Sequence, residues 1–278
     1  MYFRRTTEIH VDVINARKWY ENINISTDGT RLHEISRYFD ELLNPTTPDA
    51  NPFKARPVED SYYAMNDGAG FGLIGSEMSK LPSHLLPRRT LQDILRGPLA
   101  ASDEDTTVSD SRNKFVELEL AANLSSAGFK LLGFDDLKFG FEGCNYLVEC
   151  KRPFYEHTLS DNMEKAYAQL QAKLSDSSHR GIVAIAVEKI FGLDRQIHPL
   201  KSVPEANAFA ISTATDFNRR IARYSRTWVD PRVVAVLAII SLPDGKHGVG
   251  CDWVELYSGP AQVRLPPGCA SRRKREIG

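Results

Sequence analysis

From residue 112 onward the sequence alternates between two periodicities, and that alternation restricts the fold more than any other feature of the chain. Apolar residues recur at helical spacing over 112–127, 161–174 and 204–226. Strand-like apolar runs fall at about 129–139, 145–151, 181–190, 232–241 and 252–257. A helix has to bury a stripe and a strand a face, so interleaved helices and strands predict an α/β sheet covered by helices. The last run sets Val254 and Leu256 on one face against Trp253, Glu255 and Tyr257 on the other.

The first hundred residues read differently. An amphipathic helix is predicted over 28–43, entered at Asp28-Gly29-Thr30, with Leu32, Ile35, Tyr38, Phe39, Leu42 and Leu43 at helical spacing and an end at Asn44-Pro45. Four prolines make 44–60 an extended loop, and a short helix is expected from Thr90 to Leu95. The small, acidic and hydroxylated stretch 101–111 cannot bury enough apolar area to fold alone. A boundary there predicts a mainly helical N-terminal accessory domain, 1–105, and a second domain, 106–278. The 278 residues suffice for two domains of ~100–200 residues each.

Composition excludes some partners and locations. Hydrophobic residues make up 42% and charged residues 26%, as in ordinary soluble proteins. With a formal net charge of -1, a polyanion has to be held by local patches. The four cysteines show no C-x-x-C spacing, which predicts reduced thiols in a cytoplasmic setting. The longest apolar run, Val233 to Ile240, is far short of the ~20 residues of a spanning helix, and no secretory signal is expected at the N-terminus.

The chemistry concentrates in Asn145-Tyr146-Leu147-Val148-Glu149-Cys150-Lys151. Side chains alternate along a strand, so Glu149 and Lys151 share one face, opposite Tyr146, Val148 and Cys150. Upstream, Asp136 ends the apolar run from Phe129 to Phe134 and precedes a turn at Glu142-Gly143, which predicts an antiparallel hairpin. Two carboxylates brought together this way repel unless a cation neutralises them, and a divalent metal fits. Mg²⁺, with Mn²⁺ as substitute, prefers such oxygen ligands and would serve phosphodiester hydrolysis, with Lys151 orienting or polarising the attacking water. Glu117 and Glu119 flank the apolar face of the 112–127 helix, and periodicity does not choose between them as a further acid.

These residues resemble the PD-(D/E)XK, or restriction-endonuclease-like, nucleases, in particular their Mrr-like branch. In that pattern a helix glutamate precedes a Gly-aromatic helix end, an Asp follows on one strand, and Glu-X-Lys on the next. Here Glu117, Gly128-Phe129, Asp136 and Glu149-Cys150-Lys151 stand in that order. The resemblance, over about 111–190, implies a mixed central sheet flanked by helices. It also implies Asp136, Glu149 and the Cys150 carbonyl as metal ligands, Lys151 as catalytic lysine, and Glu117 over Glu119. The family's helix glutamine falls on Gln169 or Gln171, with Gln169 preferred. No proline precedes the acid in Phe134-Asp135-Asp136, so Asp135 is the alternative ligand. The implied activity is a metal-dependent nuclease, acting on DNA in bacterial restriction or antiphage defence; the alternative is a non-catalytic nucleic-acid-binding or assembly module. A homo-oligomer is expected from the general prevalence of such assemblies, and a regulatory protein partner for the N-terminal region because an intact nuclease site requires control.

Other signals carry less. Gly70-Phe71-Gly72-Leu73-Ile74-Gly75 satisfies G-x-G-x-x-G, but no strand precedes it, so no dinucleotide site is expected. The seven histidines show no zinc spacing. Arg219, Arg220, Arg223 and Arg226 gather on one helix stripe; Arg219 and Arg223, with Arg152, are the expected nucleic-acid contacts. A glycosidase pair of carboxylates would not call for a lysine beside one of them.

Overall fold

The computed structural model describes residues 2–3, 5–44, 57–99, 109–134, 137–175, 178–193, 202–225, 228–244 and 248–255. The architecture is α/β. Seven strands form one mixed sheet: β1 (Tyr2–Phe3), β2 (Lys130–Gly133), β3 (Leu137–Phe141), β4 (Cys144–Lys151), β5 (His179–Ala186), β6 (Val233–Asp244) and β7 (Gly248–Glu255). Their order across the sheet is β1-β7-β6-β5-β4-β3-β2. The centre, β4-β5-β6, is parallel, and both flanks are antiparallel. In β5, Gly181 through Ala186 are all buried, as expected of a parallel strand covered on both faces.

Among the described residues seven α-helices accompany the sheet: α1 (Thr6–Asn22), α2 (Arg31–Leu43), α3 (Val58–Met78), α4 (Arg88–Asp93), α5 (Ser109–Ser126), α6 (Leu159–Lys173) and α7 (Val203–Ser225). Helix α6 packs on β4 and β5, α5 on β2, β3 and β4, and α7 on β6 and β7. Thr30 caps α2, its hydroxyl accepting from the His33 N–H at 3.4 Å, so the helix begins where its entry signal stands. No described helix is long and apolar enough to cross a membrane.

The N-terminal region is helical, as expected, but it also gives the sheet an edge strand, β1. Its helices share one continuous buried core with the sheet. Helix α3 stands at that junction, in contact with α1, α2, α5 and β6, and nearly every residue from Ser61 to Met78 is buried. The G-x-G-x-x-G lies inside it and serves close packing. A Cβ on Gly70 would meet the Phe115 ring at 2.6 Å, and one on Gly72 would meet Asp12 at 2.5 Å.

Between α3 and its neighbours lies a buried ion cluster. Asp67 is 2.7 Å from Arg112 Nη1 and 3.6 Å from Arg31 Nε, with all three side chains almost fully enclosed. Arg112 also donates to the carbonyls of Pro98 and Leu99 and lies over the Tyr63 ring at 4.2 Å. Arg31 donates to the Ile94 carbonyl at 2.9 Å and packs over Phe71 and Phe115. A buried carboxylate needs such partners, and the partners need it.

Candidate active site

The hairpin of β3 and β4 sets the site. Glu142 and Gly143 both have positive φ, 48° and 79°, the conformation a two-residue type I′ turn requires. From the Phe141↔Cys144 pair the register runs without a bulge to Leu137↔Val148. Leu137, the residue after Asp136, therefore lies opposite Val148, the residue before Glu149. Asp135 and Asp136 themselves lie outside the described residues.

Glu149 sits near the C-terminal end of β4, its side chain 13% exposed and both oxygens engaged. Lys151 Nζ donates to Oε1 at 2.6 Å, and Lys173 Nζ, on the last turn of α6, donates to Oε2 at 2.9 Å. Sequence reasoning missed Lys173, although a signal for it exists. Leu159, Met163, Ala166 and Leu170 form the buried stripe of α6 at alternating spacings of four and three, and Lys173 continues that rhythm. A cation that extends a buried stripe calls for an internal anion. The glutamine expected here is displaced: Gln169 is exposed, farther round the helix, and Gln171 donates to the Tyr167 hydroxyl at 3.1 Å.

Helix α5 separates its two candidate acids. Glu117 Oε1 accepts from the Leu137 N–H at 3.2 Å, at the start of β3 and next in sequence to Asp136. Glu119 is buried on the α3 side, where it lines a small cavity with Asp67, Arg112, Arg152 and Glu188. Only Glu117 meets the hairpin.

Between the Glu149 and Lys151 positions, Cys150 turns its thiol inward. Burial pushes the thiol pKa well above its ordinary value; the Glu117 and Glu149 carboxylates add to the rise, and Lys151 opposes it. The thiolate is the reactive form, so Cys150 should stay unalkylated by iodoacetamide at pH 9 in the native protein and react once the chain is denatured. Rapid labelling of Cys150 in the folded state, read by tandem mass spectrometry of its tryptic peptide, would contradict that geometry.

Arg152 corrects an expectation. One position past Lys151 it points to the other side and is 6% exposed. Its Nε donates to Glu188 at 2.6 Å and its Nη2 to the Tyr63 hydroxyl of α3 at 3.3 Å. The guanidinium thus anchors the end of β4 to the helical region and is not presented to a phosphate. Arg219 is exposed and paired with Asp216 at 3.0 Å; Arg220 pairs with Glu156 at 2.7 Å and covers the Phe191 ring. The Arg223 side chain and Arg226 lie outside what is described.

The side chains present suit a hard divalent cation in kind. Glu149 and Glu117 offer oxygen donors, as does the Cys150 carbonyl on the strand between Glu149 and Lys151. Among the described residues no group of three acid, histidine or cysteine side chains converges. No protein-family model matches the chain, and no curated protein matches it significantly.

Proposed function

We propose that the chain is a Mg²⁺-dependent nuclease of the PD-(D/E)XK type, hydrolysing phosphodiester bonds of nucleic acid, with DNA the preferred substrate class. The observation that carries this reading is the Glu149 carboxylate, nearly enclosed at the end of a hairpin strand, with Lys151 2.6 Å away on the same strand face. The mixed sheet, with this hairpin beside its parallel centre, supports a restriction-endonuclease-like core.

Glu149, with the Cys150 carbonyl and Asp136, would hold the cation. The cation would supply charge neutralisation at the phosphate and a water of lowered pKa. Lys151 holds its ammonium beside Glu149, where it can orient the attacking water and face the charge developing on phosphate oxygens. Glu117 accepts from the Leu137 N–H and thereby holds the start of β3. Lys173 pairs with the second oxygen of Glu149, where it competes with the cation for that oxygen.

A second reading has an observation of its own. With both oxygens of Glu149 taken by ammonium groups, the ion triad is closed, as it would be in a non-catalytic nucleic-acid-binding or assembly module. Purified full-length protein incubated with plasmid, linear duplex, single-stranded DNA and RNA in Mg²⁺ or Mn²⁺ separates the two. The expected result is metal-dependent cleavage that Lys151→Ala and Asp136→Ala both abolish. Equal cleavage by all three proteins would overturn the assignment, and no cleavage by the unmodified chain would favour the module.

A further inference from the structure

Directly after β4 the chain presents an aromatic pair to solvent. The Tyr155 and His157 rings lie 5.3 Å apart with their planes within 14° of parallel, and Tyr155 is 62% exposed. The pair is held. The Tyr155 carbonyl accepts from both the N–H and the hydroxyl of Thr158, at 3.1 and 2.8 Å, closing the single 3-10 turn Glu156–Thr158. Glu156, between the two rings in sequence, is tied to Arg220 of α7 at 2.7 Å. A tyrosine left this exposed gives up most of the stabilisation that burial would provide, and the backbone that carries it is nevertheless held at Tyr155 and at Glu156.

We propose that Tyr155 and His157 form a nucleobase-stacking platform, and that the substrate is therefore a strand that is single or locally unpaired where it enters the Glu149–Lys151 centre. The inference rests on the nuclease reading and names its substrate class. Tyr155 follows Lys151 by four residues, which limits their Cα separation to ~14 Å, within a few nucleotides of the scissile phosphate. Only a base free of its duplex stack can lay its face on an aromatic ring, and every base has such a face. A cation for the backbone lies nearby: Glu156 brings α7 alongside, where Arg219 is exposed next in sequence to Arg220. Arg219 is in a surface ion pair with Asp216, which contributes little and can exchange the carboxylate for a phosphate. One tyrosine and one histidine are too small a patch for a protein partner, which needs about 800 Å² per side.

The test measures binding by full-length protein carrying Lys151→Ala, with three probes of equal length: single-stranded DNA, blunt duplex DNA and single-stranded RNA. Adding Tyr155→Ala should weaken single-strand binding roughly 5- to 100-fold, leave duplex binding within about twofold, and leave the melting temperature unchanged. Tyr155→Trp should retain single-strand affinity. A 2-aminopurine placed opposite the platform should be quenched by the tyrosine protein and not by the alanine variant. Unchanged single-strand affinity in Tyr155→Ala, or an equal loss on duplex, overturns the platform alone. If the Lys151→Ala parent binds none of the three probes, the nuclease reading falls and the platform with it.

Discussion

Glu149→Gln should lower the cleavage rate by about three orders of magnitude, ~4 kcal/mol of transition-state stabilisation, while the chain remains folded. The amide keeps the shape of the carboxylate but removes the charge on which metal, Lys151 and Lys173 all depend. General acid–base assistance contributes typically ~10²–10⁴-fold and cation charge stabilisation several kcal/mol, so losing their common anchor should reach that range. The folding cost is smaller. The lysine side chains are 19% and 31% exposed, so both ammonium groups can turn toward water and little of a buried-pair penalty applies. Lys173→Met makes the contrast. It frees Oε2 of Glu149 from a competing cation, so the Mg²⁺ concentration for half-maximal cleavage should fall roughly two- to fivefold, the value of a partly exposed ion pair. Full cleavage by Glu149→Gln at saturating Mg²⁺ would remove Glu149 from the reaction.

Asp67→Ala should be the most destabilising single change at the helical junction. Asp67 is the common acceptor of Arg112 and Arg31, and all three side chains are at most 3% exposed. Without it two guanidinium groups are left facing each other in the interior. Breaking a buried pair in this way costs about 3–5 kcal/mol. In a chain of this size that corresponds to a fall of roughly 10 °C in melting temperature. Glu59→Ala, which removes a longer and more exposed contact with Lys189, should cost under ~1 kcal/mol. Thermal unfolding by circular dichroism reads both, and a shift below ~3 °C for Asp67→Ala would show that the cluster is not a unit.

Much of the sheet from β2 to β7 is legible in sequence because its elements advertise themselves locally. The apolar run of β5, the alternation in β4 and the Glu142-Gly143 turn each point to the element found. The run at 129–139 hides a division: β2 ends at Gly133 and β3 begins at Leu137, and apolar residues on both sides mask the break. Helix α1 was within reach, since Ile9, Val13, Ala16 and Tyr20 bury at intervals of four and three. Helix α3 was not. Its glycines disfavour a helix locally, and their contacts with α1, α2 and α5 account for them; burial on every side leaves no amphipathic pattern to find.

At the site, the strand pair Glu149 and Lys151 follows from alternation, whereas Lys173 and Arg152 depend on tertiary partners. A lysine near a helix C-terminus usually points to solvent, and an arginine next to the Glu149–Lys151 pair invites a phosphate role. Only the packing of α6 on β4, and of Tyr63 on Arg152, turns these two side chains inward.

The pairing of β1 with β7 joins Tyr2 to Cys251 and Phe3 to Gly250. On a ribosome, β1 emerges before every other strand of this sheet and stays unpaired until β7, the last of the described strands, has been made. Until then β1 carries unpaired backbone N–H and C=O groups, the kind of edge through which nascent chains associate with one another. Yield of soluble protein should accordingly respond more to synthesis rate and chaperone supply than to the stability of the finished fold, and bulky N-terminal fusions that hinder β1 should aggravate the delay.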